Sequence, residues 1–323
     1  MSSITSFTLR LLVREPVAFQ SFSGFASCGI FYSLISSVDE GLADSLHSSK
    51  RLAPWSATPL ITESSPPRIV FRRIPAPSIL RLSFSIMDDR LCRAFREAIL
   101  KPGLHVNLVN ARAQVIGVAV NTYRFSELAS GASPLPSRFT IRFLTPTAFR
   151  RSVFNCCRRC PRYVDHIIRA KSGERAEAPC EYARPCRGVV TPLPIPAMLL
   201  RSAARIWSTF SDRRLDARGA AEWAEEAIMV AGFPKGIRTA RVYEHPNTNK
   251  WIIGFMGAVR FSIREDLYEE RYARAAAALL KMAEITNVGV RRTAGLGMIR
   301  YLPSGQGINH EAEKGLLITD TPL

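Results

Sequence analysis

The sequence lacks the features that mark membrane, disordered and secreted proteins. No apolar run approaches the ~18 residues that a membrane-spanning helix needs, and no low-complexity tract is present. Hydrophobic residues make up 47% of the 323-residue chain, far more than a disordered protein contains. The first residues have neither the basic start nor the compact apolar stretch of a secretion signal. We therefore expect a cytoplasmic protein with no membrane partner, long enough for two domains.

Acidic residues and lysines are both scarce beside arginine. The chain has 27 Asp plus Glu against 44 Lys plus Arg, a formal net charge of +17, and seven of the basic residues are lysines. Arginine carries a planar, forked guanidinium that binds phosphate and stacks on bases. Basic side chains that contact phosphates release condensed counterions, so a polyanion can offset this charge. The composition favours a nucleic acid or an acidic surface as partner.

Hydrophobic periodicity predicts roughly the same order of strands and helices in both halves of the chain. In the first half the main predicted elements are a strand over 4–13, a helix over about 24–46, broken near Gly41, and a helix over 89–100. In the second half they are a strand over 138–144, a helix over 196–210, a strand over 251–263, a helix over 270–286 and a strand over 295–301. This order is typical of an α+β sandwich of the ferredoxin-like kind.

The segment from Gly131 to Pro136 is the best candidate for a domain boundary. The sequence thus predicts an α+β protein with tandem ferredoxin-like (RRM-like) domains over 1–132 and 133–302. A Cys- and Arg-rich insertion interrupts the second domain at about 150–187. Residues 303–323 hold no strong pattern and are expected to be a tail.

A glycine-rich segment, residues 287–297, lies between the last predicted helix and the last predicted strand. Its glycines allow positive φ and close approach of backbone N–H groups to a phosphate, and two arginines add charge. The residues concerned are Gly289, Arg291, Arg292, Gly295 and Gly297. No Gly-Lys-Ser/Thr is present, and the segment does not link a strand to a helix, so it is not a P-loop. If this segment is considered alone, the alternative interpretation is an ordinary glycine loop.

This glycine-rich segment resembles the signature of the RAMP superfamily of CRISPR-associated proteins, and most closely that of its endoribonuclease family, Cas family six. Four other sets of residues resemble motifs of that family in the expected order. They are Leu46–His47 with Pro54–Ser56 and Pro59–Leu60 downstream, Arg142–Arg150, Pro192–Pro196 followed by a helix carrying Trp207, and Gly254–Val259. The resemblance spans about residues 4–302.

The resemblance implies a metal-independent endoribonuclease that cuts precursor CRISPR RNA within its repeats to give mature guide RNA. In this family's reaction the ribose 2′-hydroxyl attacks the adjacent phosphate, leaving a cyclic phosphate and a 5′-hydroxyl. Such a step needs a base, an acid and a cation on the phosphorane. The implied partners are CRISPR repeat RNA and other subunits of a CRISPR effector complex.

The resemblance also implies His47 as the catalytic acid or base, because the family's active-site histidine follows the first helix. A tyrosine and a lysine often assist, and the candidates are Tyr32 on the first helix and Lys50, with Arg51 as a substitute for the lysine. One continuous helix would separate Tyr32 from His47 by ~22 Å. The two residues share a site only if the chain turns back near residues 39–41.

The chain has seven cysteines, an odd number that cannot all pair, and disulfides are rare in intracellular proteins. Both points argue against a disulfide framework. Cys157 and Cys160 have the two-residue gap of a zinc knuckle, and Cys180 and Cys186 form a looser second pair. These four are predicted to bind a structural zinc. The alternative is a reduced insertion without metal.

The insertion is also strongly basic. Residues 150–171 hold seven basic side chains and one acid, Asp165, so Arg158 and Arg159 are candidates for RNA contact with or without the metal. Two other functions stay open: a non-catalytic RAMP subunit that holds RNA in a CRISPR effector complex, and a zinc-dependent RNA-binding protein unrelated to CRISPR.

Overall fold

The computed structural model describes residues 2–49, 51–151, 189–242, 251–303 and 317–318. These residues form two large, mostly antiparallel sheets, one built mainly from the first half of the chain and one from the second, with helices packed on them. Among the helices of this part of the chain, none is long and apolar enough to cross a membrane.

The first sheet has eight strands in the described residues. They are β1 (Ser3–Val13), β3 (Trp55–Ala57), β4 (Ile61–Thr62), β5 (Arg68–Ile69), β7 (Ser78–Ile86), β8 (His105–Leu108), β9 (Ala111–Arg124) and β17 (Leu317–Ile318). Their order is β17-β5-β4-β7-β1-β9-β8, and β3 also pairs with β7. A separate pair joins β2 (Val17–Ala18) to β6 (Arg73–Ile74).

Alternating apolar residues place β1 at the centre of this sheet. Phe7, Leu9 and Leu11 have no exposed surface, and the strand pairs antiparallel with β7 and β9. The helices of this half are α1 (Gly24–Ser36), α2 (Glu40–Ser48) and α3 (Asp89–Ile99). Phe95 of α3 lies 5.0 Å from Phe7 between ring centroids, so α3 covers the buried face of β1.

The second sheet has five strands in the described part of the chain. They are β10 (Arg138–Thr147), β13 (Ile228–Gly232), β14 (Ile237–Arg241), β15 (Ile253–Ile263) and β16 (Ile299–Pro303). Their order is β13-β15-β10-β16, with β14 also paired to β15, and β11 (Phe149–Arg151) pairs separately with β12 (Val189–Thr191). The helices of this half are α4 (Phe125–Ser130), α5 (Pro196–Phe210), α6 (Ala217–Ala227) and α7 (Glu270–Thr286).

Local sequence explains where the two long helices of this half begin and how closely they pack. Pro196 occupies the first turn of α5, where its missing N–H would have no intrahelical partner. Trp207, almost fully buried on α5, donates its indole N–H to the carbonyl of Arg213 at 3.1 Å. α7 buries a face rich in alanine, from Ala273 to Ala283, which lets the neighbouring elements approach closely.

The two halves confirm the predicted α+β class. The helical segment predicted over 24–46 with a break near Gly41 divides into α1 and α2 at residues 37–39, a few residues before the predicted place. The strand predicted over 295–301 begins at Ile299, since residues 292–294 form a 3₁₀ turn. The sequence patterns did not predict α6, the strands β13 and β14, which both pair with β15, or the strand β17 within the expected tail.

Candidate active site at the helix corner

The chain reverses direction between α1 and α2. α1 ends at Ser36, and Asp39 caps α2 by accepting a hydrogen bond from the backbone N–H of Leu42 at 2.8 Å. Arg90 donates to the other carboxylate oxygen of Asp39 at 2.8 Å. The Leu42 N–H and the Arg90 guanidinium together hold the pKa of Asp39 below its usual range. We call this region, residues 32–47, the helix corner.

The helix corner brings the rings of Tyr32 and His47 together. Their centroids lie 5.5 Å apart at an interplanar angle of 79°, which is an edge-to-face contact. A single straight helix would have placed them ~22 Å apart. The reversal at residues 37–39 therefore meets the condition on which these two residues could share a site.

Tyr32 packs against buried aromatic side chains. Trp55 lies edge-on to Tyr32, with centroids 5.7 Å apart, and is itself stacked on Phe31 at 3.6 Å. Trp55 and Phe31 have no exposed surface, whereas Tyr32 is half-buried. Burial, with a smaller contribution from Cys28, raises the pKa of the Tyr32 phenol above its usual range. Tyr32 is therefore a protonated hydrogen-bond donor at neutral pH.

His47 has a different environment from Tyr32. It lies in the last turn of α2, and its side chain is exposed. The nine residues of α2 bury one side chain, that of Ala43. The imidazole is thus open to a ligand on one side and held against the Tyr32 ring on the other. Lys50 lies outside the described residues, and Arg51, the substitute cation, is exposed.

The glycine-rich segment, which we call the glycine loop (residues 287–297), packs tightly against protein backbone. Gly289, Gly295 and Gly297 have φ of 75°, 71° and 75°, the left-handed region that glycine permits. A Cβ at Gly295 would lie 2.6 Å from the backbone N of Pro59, in the first half of the chain. Added Cβ atoms at the other two glycines would collide with backbone carbonyls of the second half. In the structure these glycines allow the loop to approach other backbone segments of the protein closely.

The two arginines of the glycine loop have opposite environments. Arg291 is exposed, whereas Arg292 has 4% of its surface exposed. Arg292 donates through Nη1 to the carbonyl of Thr286 at 2.9 Å and through Nη2 to the carbonyl of Ala53 at 3.0 Å. Burial, and secondarily the positive charge of Arg205, lowers the pKa of Arg292 to about 10, so it stays charged at neutral pH. Arg291 therefore lies on the surface, whereas the guanidinium of Arg292 is buried and bonded to backbone carbonyls of the protein.

The remaining candidates are in the insertion. Cys157, Cys160, Cys180, Cys186, Arg158 and Arg159 all lie outside the described residues. Within the residues that the structure does describe, no group of three or more His, Cys, Asp or Glu side chains is arranged to hold a metal ion.

Sequence reasoning missed the contact between α1 and the glycine loop. Gly24 begins α1, and a Cβ there would collide with the carbonyl oxygen of Ala294. One turn later, the thiol of Cys28 faces Thr293, and burial raises its pKa to about 11. The available signal was a four-residue spacing, Gly24, Cys28 and Tyr32, which puts small residues on the same face of α1 as the candidate tyrosine.

Comparisons with known proteins agree with this architecture. The family model described as CRISPR-associated endoribonuclease Cas6 matches residues 141–299. Among solved structures, Thermus thermophilus Cas6 superposes with a TM-score of 0.61 at 20% identity, covering 94% of this chain and 99% of that one. A product complex of the same Cas6 gives 0.67 at 23% identity, covering 94% and 100%. A product complex of a second Cas6 gives 0.62 at 18% identity, covering 92% and 99%.

No curated protein matches the chain. The structural likeness shows the fold, which is a tandem ferredoxin-like arrangement. The family match covers the second sheet from β10 to the start of β16, together with the whole glycine loop. Residues 141–299 thus match the Cas6 family of CRISPR-associated proteins, and the chain as a whole is similar in fold to solved Cas6 structures.

Proposed function

We propose that this protein is a metal-independent endoribonuclease that cuts precursor CRISPR RNA within its repeats. The 2′-hydroxyl attacks the adjacent phosphate, and the products are a cyclic phosphate and a new 5′-hydroxyl. The observation that supports this proposal is the edge-to-face contact of Tyr32 and His47, residues fifteen apart that the fold brings to 5.5 Å. The solved Cas6 structures named as product and substrate-mimic complexes are in keeping with RNA processing in this family.

In the proposed reaction His47 is the proton-transfer group. Imidazole can take the proton of the attacking hydroxyl or give one to the leaving oxygen, and its exposure leaves one edge free for the RNA. Tyr32 donates a hydrogen bond from its protonated phenol to the phosphate or the leaving oxygen. Lys50, or Arg51 in its place, supplies the positive charge that stabilises the phosphorane.

RNA binding is assigned to basic side chains outside the helix corner. Arg291 is the direct phosphate contact of the glycine loop, since its side chain is exposed. Gly289, Gly295 and Gly297 give the loop the backbone path that presents Arg291. Arg158 and Arg159 extend the basic surface in the insertion, whose four cysteines are the proposed ligands of a structural zinc, to be checked by measuring zinc content.

The proposed reaction also sets the division of labour between the two domains. We assign the active site to residues 1–132, since the helix corner lies there. Residues 133–302 supply the glycine loop and the insertion, and residues 303–323 have no assigned role in the reaction.

The test is cleavage of labelled repeat RNA by the purified protein in EDTA. Wild-type protein should cut at one position, and a single 2′-deoxy substitution there should abolish the cut. His47→Ala should slow cleavage by about 10²–10⁴-fold, as is typical when general acid–base catalysis is lost, and should change the Kd for RNA less than about twofold.

His105→Ala is the matched control. His105 is also exposed, but its ring contacts the carbonyl of Gly103 at 2.7 Å, far along the chain from the helix corner. It should cut at the wild-type rate. Unchanged cleavage by His47→Ala would remove His47 from the mechanism, and tight binding without cutting by the wild type would make the protein an RNA-holding subunit.

A further inference from the structure

We propose that Arg292 and Asn287 of the glycine loop are positioning residues for the active site: they tie the second domain to residues 53–57, where Trp55 packs against Tyr32, the residue that contacts His47. This inference rests on the proposed function and assigns these two residues a role other than RNA contact.

Arg292 forms one end of this tie. Its guanidinium bridges the carbonyl of Thr286, at the end of α7, and the carbonyl of Ala53, which lies six residues after His47. The other charge that acts on Arg292 is that of Arg205, which is also positive. Burying a cation costs free energy of solvation, which hydrogen bonds must offset. The hydrogen bonds of Arg292 connect the two halves of the chain.

Asn287 forms the other end. Its side-chain amide donates to the carbonyl of Ala57 at 2.8 Å and more weakly to that of Arg292 at 3.3 Å. Asn287 is 2% exposed and has φ of 57° and ψ of 172°, a strained backbone conformation that glycine adopts far more readily than other residues. Residues 53–57 are therefore fixed at both ends by the glycine loop.

The tied segment is the support of the candidate catalytic pair. Trp55, midway between the two ends, lies edge-on to Tyr32 and stacks on Phe31. Tyr32 in turn contacts His47. The same loop also fixes the start of α1, because Gly24 leaves no space between α1 and the carbonyl of Ala294.

α2 cannot hold His47 in place by itself, since it buries one side chain of its nine. The position of the imidazole therefore depends on α1 and on the segment that follows α2, and the glycine loop contacts both. A shift of about 1 Å in a catalytic group can slow a reaction on the order of 100-fold. Loss of the tie should lower the rate of the chemical step while RNA still binds.

The test is Arg292→Lys in the full-length protein. Lysine keeps the charge, but its single ammonium cannot reproduce the planar fork that spans two carbonyls. We expect single-turnover cleavage at saturating protein to slow by about 10- to 100-fold. The Kd for repeat RNA, and its dependence on salt, should stay within about twofold of wild type.

Two combinations of binding, melting and cleavage results would overturn the inference. A weaker Kd with a shallower salt dependence and normal cleavage at saturation would make Arg292 an RNA contact. A lower melting temperature with a normal cleavage rate well below it would make Arg292 a stability residue alone. If Arg292→Lys fails to fold, Asn287→Gly serves instead, because glycine accepts the positive φ and removes the amide.

A second measurement needs no activity. The ring signals of His47 in the ¹H–¹³C spectrum of the RNA-free protein, assigned by their loss in His47→Gln, should shift in Arg292→Lys because the contact with Tyr32 changes. Unshifted signals would overturn the inference even if the wild type cuts RNA. If the wild type does not cut, the proposed function fails, and the shift still decides whether the tie positions His47.

Discussion

The helix corner and the glycine loop are held in place in opposite ways. At the helix corner His47 is exposed, and α2 buries one residue. In the glycine loop the buried residues include Arg292, Asn287 and Leu296. At the helix corner α2 is lightly packed and exposes His47 to a substrate, whereas the glycine loop is packed on both halves of the protein.

This difference separates residues that look alike in sequence. Arg291 and Arg292 are adjacent and carry the same charge, yet one is exposed and the other bonds to two backbone carbonyls. Net charge predicts that a chain binds a polyanion. Which of its arginines remain available for that partner depends on burial.

The largest expected effect is on the stability of the glycine loop. Gly297→Ala places a Cβ against the carbonyl of Val288, where the backbone also has φ of 75°. The overlap is with backbone, which has little freedom to move, because Val288 already donates its N–H to the Gly297 carbonyl at 2.9 Å. The free energy of unfolding should fall by about 3 kcal/mol or more, as measured by urea denaturation.

Two other glycines give matched controls for this prediction. Gly103 has φ of 63° but open space around it, so Gly103→Ala should cost about 1 kcal/mol, the strain of the left-handed region alone. Gly29 lies in α1 with nothing near its Cβ position, so Gly29→Ala should stabilise by about 1 kcal/mol. If Gly297→Ala lowers the free energy of unfolding no more than Gly103→Ala does, the glycine loop is as loosely packed as α2.

The next effect concerns Cys28, which lies where α1 meets the glycine loop. Burial raises the pKa of this thiol to about 11. At pH 8 its thiolate fraction is then on the order of 100-fold below that of an ordinary cysteine with pKa near 8.5. Alkylation by iodoacetamide, followed at the Cys28 peptide by mass spectrometry, should be slower by about this factor than in an unstructured peptide containing Cys28.

The pH dependence of this alkylation has a definite sign. The reactive thiolate increases about tenfold for each pH unit between 8 and 10, because both values lie below the raised pKa. Gly297→Ala should speed the reaction at a temperature where it remains folded, since it loosens the loop that covers Cys28. Alkylation of wild-type Cys28 at the peptide rate would show that α1 and the loop are not in tight contact.

The regular elements were the most predictable part of this protein. The strand at β1 follows from alternation of apolar residues, and α5 and α7 were predicted with their observed ends. α6 was missed because its buried face is made mostly of alanines, which recur at helical spacing but are only weakly hydrophobic. The strand β13 was missed because it exposes apolar side chains, Met229 and Val230, and so lacks the usual alternation of buried and polar residues.

The candidate site was predictable as a set of residues but not as a geometry. His47 and Tyr32 could be named from family resemblance, and their proximity depended on a turn whose place was predicted to within a few residues. The burial of Arg292 could not be predicted from the sequence of the glycine loop. It depends on the carbonyl of Ala53, which is 239 residues away in sequence.

The smallest expected effect, and the one that compares the two arginines directly, is on RNA affinity. Arg291→Met should weaken the Kd for repeat RNA a few-fold near 0.1 M salt, because it removes one proposed phosphate contact and leaves the fold unchanged. The slope of log Kd against log salt should fall by about 0.7, the value for one contact with single-stranded nucleic acid. The cleavage rate at saturating protein should be that of the wild type.

Arg218→Met is the matched control for Arg291→Met. Arg218 is also a surface arginine, but it lies on α6 and pairs with Glu222 at 2.8 Å, so its charge is already partly balanced. Its removal should leave both the Kd and the salt slope unchanged. Equal losses from both variants would mean that RNA responds to overall charge and not to the loop, and the assignment of Arg291 would fail. Suppose that Arg291→Met alone weakens RNA binding and that Arg292→Lys leaves the salt slope unchanged. These two results together would establish that one arginine of the loop binds RNA and its neighbour positions the active site.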